Sequence, residues 1–397
     1  MDERSTGDDA AIDDAAVEPA RADGSGPGSE AETIEARGEG APGTSDMPAE
    51  DRTPDTTDVP APDDPRRKKV KQPPMLFDRT QALLAKIEAT TGRKVLTYWT
   101  SFRGRVCDAD VLALYKLLKR TGPLSEASLF LKSDGGDPEA ALRIVHLIRE
   151  NIGALNALVP LECASAATIV ALGADEIQMG PLAHLSAIDS SLRHDLSPID
   201  EIDNSRVSVS QDELSRIVRL WNTDARDHHA NPYTDIFKHI HPLVVGAIDR
   251  SSSLSMKICR EVLGYHIADD ARCQSISQNL NSDYPSHSYP ITSREAERLG
   301  LPITRLDDGV NDMLLELNEL YSEMAQKALT DFDAQNYHDN EILNIIEADG
   351  VQVFYQNDKD WNYIKEERRW QPLNDESSWR IIELLDGEKR QSNFHIR

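Results

Sequence analysis

Ser128-Leu129-Phe130-Leu131-Lys132-Ser133-Asp134-Gly135-Gly136-Asp137-Pro138-Glu139-Ala140-Ala141 runs from an apolar segment, over a glycine pair, into a helix start. Asp137 is suited to cap that helix and Pro138 to open its first turn, while the glycines allow positive φ and leave backbone N–H groups uncovered. The same grammar returns at Val159-Pro160-Leu161-Glu162-Cys163-Ala164-Ser165-Ala166-Ala167-Thr168, again strand, turn and helix. Strand-to-helix turns repeated at this spacing predict parallel strands joined by right-handed helical crossovers.

Working outward, the pattern continues in both directions. Leu83, Leu84 and Ile87 recur at helical spacing after Asp78, a candidate cap, and Gly92 closes that helix. Val95 to Trp99 predicts a strand, Cys107 to Lys119 a helix stopped by Gly122-Pro123, and Ala127 to Leu131 a second strand. Ala140 to Ile152, Ala157 to Val159, Ser165 to Gly173 and Glu176 to Met179 follow as helix, strand, helix and strand. Residues 208–328 are mainly helical, with helices expected over Gln211 to Trp221, His241 to Tyr265, Ser293 to Gly300 and Gly309 to Ala328. The fold class is therefore α/β, a parallel sheet covered by helices, with ligands expected where strands run out into helix N-termini.

Charge divides the chain. Of the net −26 over 397 residues, −15 falls in residues 1–64, which hold seven Gly, seven Pro and no aromatic residue. Such a stretch has too little apolar surface to offset the entropy of ordering. Three regions result: a disordered acidic arm over 1–72 with a basic run at 66–71, an α/β domain over 73–330, and a C-terminal appendage of unknown fold over 331–397 carrying Trp361, Trp370 and Trp379. A wholly disordered chain, a collagen and a disulfide mini-protein are excluded by the remaining 330 or so residues, which hold all five Trp.

Further classes drop out in turn. No apolar run approaches the roughly 20 residues of a membrane span, and Met1-Asp2-Glu3-Arg4 is no signal-peptide start, so a cytoplasmic protein is expected. Cys107, Cys163, Cys259 and Cys273 are widely spaced and read as free thiols. His228-His229 and His239-x-His241 lack the i, i+4 spacing of a helical metal pair, and Pro242 interrupts the second, so neither metal nor cofactor is expected. The basic run has no interleaved aromatics for base stacking, so a solvated linker is expected ahead of a nucleic-acid site.

Two chemistries fit the helix starts. Gly135-Gly136 forms an anion or oxyanion cradle or a structural turn, and no Gly-Lys-Ser/Thr follows to make it a nucleotide loop. Ser165 is either a plain N-cap or a nucleophile with a base nearby. His287, in Tyr284-Pro285-Ser286-His287, reads as a loop residue packing on the core.

Taken together, Ser133-Asp134-Gly135-Gly136-Asp137, then Cys163-Ala164-Ser165-Ala166-Ala167-Thr168 through Met179-Gly180-Pro181, then Leu185-Ser186-Ala187-Ile188-Asp189, resemble the serine dehydrogenase proteinase family. That family belongs to the Clp-protease and signal-peptide-peptidase-A class of crotonase-like folds. The likeness covers roughly Leu76 to Ala328, with support from His241-Pro242-Leu243, Tyr284-Pro285-Ser286-His287 and Pro290-Ile291-Thr292-Ser293-Arg294-Glu295-Ala296. It implies an ATP-independent serine endopeptidase in which Ser165 attacks a peptide carbonyl, the oxyanion is held by amides of Gly135 or Gly136 and of Ala166, and the chains form a homo-oligomer. No nucleotide-binding Gly-x-Gly-x-x-Gly supports a dehydrogenase.

The chain departs from the family at the base. Many relatives carry lysine just before the serine, where this chain has Ala164, and no histidine follows at the Clp spacing. The candidates are His184, Asp189, His194 and Lys238, with His184 and Asp189 taken first as the partners of Ser165, and a base from a neighbouring subunit is a further option. Two alternatives stand beside the peptidase: an inactive scaffold binding peptides or protein partners, and an acyl-CoA enzyme using the same oxyanion cradle.

Overall fold

The computed structural model describes residues 69–189, 191–192, 194–200, 206–224, 231–365 and 369–396. The acidic arm and the basic run as far as residue 68 lie outside the described residues, as do His228 and His229. The chain alternates through α1 (Phe77–Thr91), β1 (Lys94–Thr100), α2 (Asp108–Thr121), β2 (Leu124–Lys132), α3 (Pro138–Asn151), β3 (Ile152–Val159), β4 (Glu162–Cys163), α4 (Ala166–Leu172) and β5 (Glu176–Met179). Short pairings β6 (His184–Leu185), β7 (Ser191–Leu192) and β8 (Val209–Ser210) lead to helices α5 (Gln211–Asp224), α6 (Tyr233–Ile236), α7 (Pro242–Leu263), α8 (Asp270–Ser282) and α9 (Ser293–Arg298). After β9 (Ile303–Arg305) and α10 (Asp308–Met324) come β10 (Ala328–Asp331), β11 (Asn336–Ala348), β12 (Val351–Ile364), β13 (Arg369–Asp375), β14 (Ser378–Leu385) and β15 (Glu388–Phe394).

The α/β fold expected from the turns is the one found. Strands β1, β2, β3, β5 and β9 lie side by side and all pair in parallel. Their alternate residues divide between two helical layers. Leu96 and Tyr98 point into the cluster made with α2, α3, α4, α7 and α8, whereas Val95 and Trp99 point into the cluster made with α1 and α10. Burying each such side chain is worth about 1.5–3 kcal/mol, so the sheet is fixed from both faces.

Two helix boundaries differ from expectation for local reasons. Asp78 falls inside the first turn of α1, whose N-cap is Leu76 without a side-chain cap. Pro242 opens α7 rather than interrupting a histidine pair: His241 is the N-cap, and its Nδ1 accepts from the Leu243 N–H at 3.2 Å.

The C-terminal appendage is made of strands. β11 pairs antiparallel with β1, and β12, β14 and β15 follow outward in the same sheet. Ile345 and Ile346 face opposite layers, so β11 is a covered, central strand. Its anchor is Glu347, fully buried. Its carboxylate accepts from Thr80 Oγ1 at 2.6 Å, Gln81 Nε2 at 2.7 Å, the Tyr321 hydroxyl at 2.6 Å and Gln352 Nε2 at 2.8 Å, tying α1, α10 and β12 to one residue. Burial nevertheless holds this carboxyl above its usual range.

Removing one donor from a buried carboxylate leaves charge undercompensated. Tyr321→Phe is expected to lower the unfolding free energy by about 1.5–3 kcal/mol in urea titration. A loss under about 0.5 kcal/mol would show that the carboxylate does not anchor the C-terminal strands.

Candidate active site

The two strand-to-helix turns are stitched to each other. Ser133 N–H donates to the Glu162 carbonyl at 3.2 Å, and Ala164 N–H donates to the Ser133 carbonyl at 2.9 Å. This brings Gly135 against the serine turn so closely that a Cβ there would stand 2.6 Å from both the Ala164 carbonyl oxygen and Ser165 Cβ. With φ at +100°, the position calls for glycine on both counts. Gly136 is pressed on its other side against Val106, whose backbone would meet a Cβ at 2.3 Å.

Ser165 sits at φ 52° and ψ −120°, a conformation that costs a non-glycine residue roughly 1–3 kcal/mol. It occupies the N-cap position of α4, yet its side chain makes no cap hydrogen bond, so capping does not account for the serine. Its N–H donates to Ser186 Oγ at 2.7 Å, and Thr168 Oγ1 donates to the Cys163 carbonyl at 2.8 Å. The turn is thus braced from β6's successor and from within α4.

The two glycines differ in what their amides do. Gly135 N–H donates to Ser133 Oγ at 3.2 Å. The N–H groups of Gly136 and Ala166 find no protein acceptor among the described residues. Both residues line a cleft of about 140 Å³ together with Ser165, Ile188, Asp189 and His287.

Asp189 and His287 meet in this cleft. His287 Nδ1 lies 2.6 Å from Asp189 Oδ1, with the carboxylate side chain 12% exposed and the imidazole 46%. The hydrogen bond to Asp189 raises the imidazole pKa above its ordinary 6.5, outweighing partial burial, which acts the other way. The chain reaches this arrangement because Leu185 and Ile291 exchange both backbone hydrogen bonds at 2.9 Å, pinning the loop after α8 beside residues 185–189. Tyr284 and Tyr289 stack at 5.1 Å within that loop.

Of the residues singled out from sequence, Ser165, Asp189, Gly136 and Ala166 come together, with Gly135 directly behind the serine. His184 lies on β6 opposite Glu162 and is not among the residues lining the cleft. Glu162 is instead paired with the buried Lys132, whose ammonium stands 2.9 Å away. His194 Nδ1 accepts from the Leu196 N–H at 3.1 Å, and the exposed Lys238 pairs with Asp235. His287 is the residue that spacing missed. It belongs to a loop, as expected, but turns its ring to Asp189 rather than to the core, and the pairing of Leu185 with Ile291, with the Ile188 N–H donating to the Leu280 carbonyl, brings it there. The four cysteines are free, and no group of three or more potential metal ligands exists among the described residues. Nor is any helix among them long and apolar enough to cross a membrane.

No family model matches the chain. An uncharacterized protein of Methanocaldococcus jannaschii is 24% identical over 205 residues, covering 51% of this chain and 62% of that protein. The matched segment thus spans less than two thirds of that relative's length. Among solved structures, a variant of the 1510-N membrane-bound stomatin-specific protease is similar over 59% of this chain and 87% of its own, at 15% identity and a TM-score of 0.32. ClpP1 of Listeria monocytogenes is similar over 59% of this chain and 99% of its own, at 13% identity and a TM-score of 0.31.

The imidazole is a measurable handle on this geometry. In an NMR titration, His287 is expected to titrate above 6.5 and to move down in Asp189→Asn, because the neutral amide no longer favours the imidazolium. A wild-type midpoint at or below 6.5 that the substitution leaves unchanged would break the pairing.

Proposed function

We propose that the chain is a serine hydrolase acting on peptide bonds, with Ser165 as nucleophile, His287 as general base and Asp189 orienting it. One observation carries this: the Asp189–His287 pair opens on the same small cleft as a serine held in a strained turn. The motif resemblance around Ser165 supports the same chemistry, and it is the source of the expectation that the active form is a homo-oligomer.

In this mechanism His287 Nε2 takes the Ser165 hydroxyl proton as Oγ bonds to the substrate carbonyl carbon. The carbonyl oxygen becomes an oxyanion facing the N–H groups of Gly136 and Ala166, which have no acceptor among the described residues. Collapse breaks the C–N bond, the imidazolium gives its proton to the departing amine, and an acyl-serine remains. Water, deprotonated by His287, then hydrolyses the ester and restores Ser165. Asp189 holds the proton on Nδ1 and so leaves Nε2 as the basic nitrogen. A histidine base removes the need for a lysine at Ala164. The cleft's size, about 140 Å³, suits an acyl group or a peptide side chain better than a large cofactor-borne substrate.

The test is labelling by a fluorophosphonate probe. Wild type is expected to label, Ser165→Ala not at all, and His287→Ala about 10²–10⁴-fold more slowly, with the wild-type rate rising with pH as His287 loses its proton. A folded wild type that takes no label, or a Ser165→Ala variant that labels equally, would sink the assignment in favour of a binding scaffold.

A further inference from the structure

A second cavity, of about 400 Å³, lies between the turn that follows β1 and the C-terminal strands. Its chemistry runs against the composition of the chain: in a protein of net charge −26, no Asp or Glu among the described residues lines it, whereas Arg103, Arg105 and His395 do. Arg103 is committed to the buried carboxylates of Glu341 and Asp339, at 2.5 and 3.5 Å. Arg105 is exposed and makes no ion pair among the described residues. Trp379 and Tyr355 give the same cavity an aromatic lining. Trp379 packs 5.7 Å from Tyr355 and stacks on Phe394 at 6.3 Å. Beside it, the buried hydroxyl of Ser378 has no hydrogen-bond partner among the described residues, an omission that normally costs about 1–3 kcal/mol.

A short backbone segment connects the cavity to the candidate active site. Arg105 and Cys107 line the cavity, and the residue between them, Val106, is the one that grips the glycine pair. Val106 N–H donates to the Gly135 carbonyl at 2.8 Å, and Asp137 N–H donates to the Val106 carbonyl at 2.9 Å. On the cavity side, Asn344 Nδ2 donates to the Arg105 carbonyl at 2.9 Å, linking this short segment to β11.

We propose that this cavity binds a small organic anion with a flat apolar body, its acid group on Arg105 and its ring against Trp379 and Tyr355. Occupancy then holds segment 103–107 and, through Val106, the Gly135–Gly136 backbone in place. The binding site stands on the cavity alone; its consequence for catalysis rests on the serine-hydrolase reading.

A matched pair of probes tests it on the full chain: 8-anilinonaphthalene-1-sulfonate, an aromatic anion, and N-phenyl-1-naphthylamine, which keeps the fused ring and lacks the charge. The anion is expected to bind saturably, at least tenfold more tightly than the neutral probe, and Arg105→Glu to weaken it tenfold or more. Arg294→Glu, an exposed arginine on α9, is expected to leave binding unchanged, with circular dichroism confirming that both variants fold. Hydrogen exchange over residues 133–137 is expected to slow on saturation with the anion. Equal binding of the two probes, no binding, or full binding by Arg105→Glu overturns the site. Binding without any change in exchange over 133–137 overturns the coupling. Neither readout depends on labelling of Ser165, so failure of the hydrolase assignment shows separately.

Discussion

The close approach of Gly135 to the Ser165 turn governs the rest of the site. Two strands end side by side, each turning into a helix, and the backbone hydrogen bonds between Ser133 and residues 162–164 hold the turns at a spacing no Cβ could enter. With that contact go the positive φ of Ser165, a side chain that makes no cap hydrogen bond to the helix, and two N–H groups at the cleft with no protein acceptor among the described residues. A residue in an unfavourable conformation persists only where its surroundings over-determine it. Here they do, through Ser186 and Thr168 on one side and the glycine pair on the other.

Much of the parallel core was legible in the sequence because its strands and helices keep simple periods. Asp137 caps α3, Pro138 opens it and Gly92 ends α1 in the left-handed conformation, each for the local reason its residue type suggests. Strand ends were less visible: β2 begins at Leu124 and β3 at Ile152, several residues before their continuous apolar runs, because the early positions are partly exposed. Helix α8 escaped because Asn, Gln and Ser dominate it and only Cys273, Ile276 and Leu280 mark its apolar side. The C-terminal strands were hidden by buried polar residues. Asp339, Glu341, Glu347 and Gln352 sit where an alternating pattern would demand apolar groups, and they are tolerated through partners elsewhere in the fold such as Arg103, Thr80 and Tyr321.

The candidate site divides the same way. Gly136 belongs to one strand-to-helix turn and Ser165 and Ala166 to the next, two instances of the same local logic, which is why sequence spacing finds them. His287 stands in a motif the resemblance includes, but its pairing with Asp189 depends on tertiary contacts such as Leu185 with Ile291 and Ile188 with Leu280, which no single segment reveals. His184, nearer in sequence to Ser165, is carried by β6 to the neighbourhood of Glu162 instead. The strand pairing, and not the count of residues, decides which side of the turn a histidine reaches.

That tertiary joint also orders events in time. A chain made from its N-terminus completes the Ser165 turn with β2, β3 and α4, but the Asp189–His287 pair does not exist until α8 has packed and Ile291 has closed on Leu185. An emerging polypeptide therefore carries the serine turn without that pair through the emergence of α5, α6, α7 and α8. Formation of the Asp189–His287 pair needs α8 packed against α7, so the pair marks a finished core rather than a partly folded one.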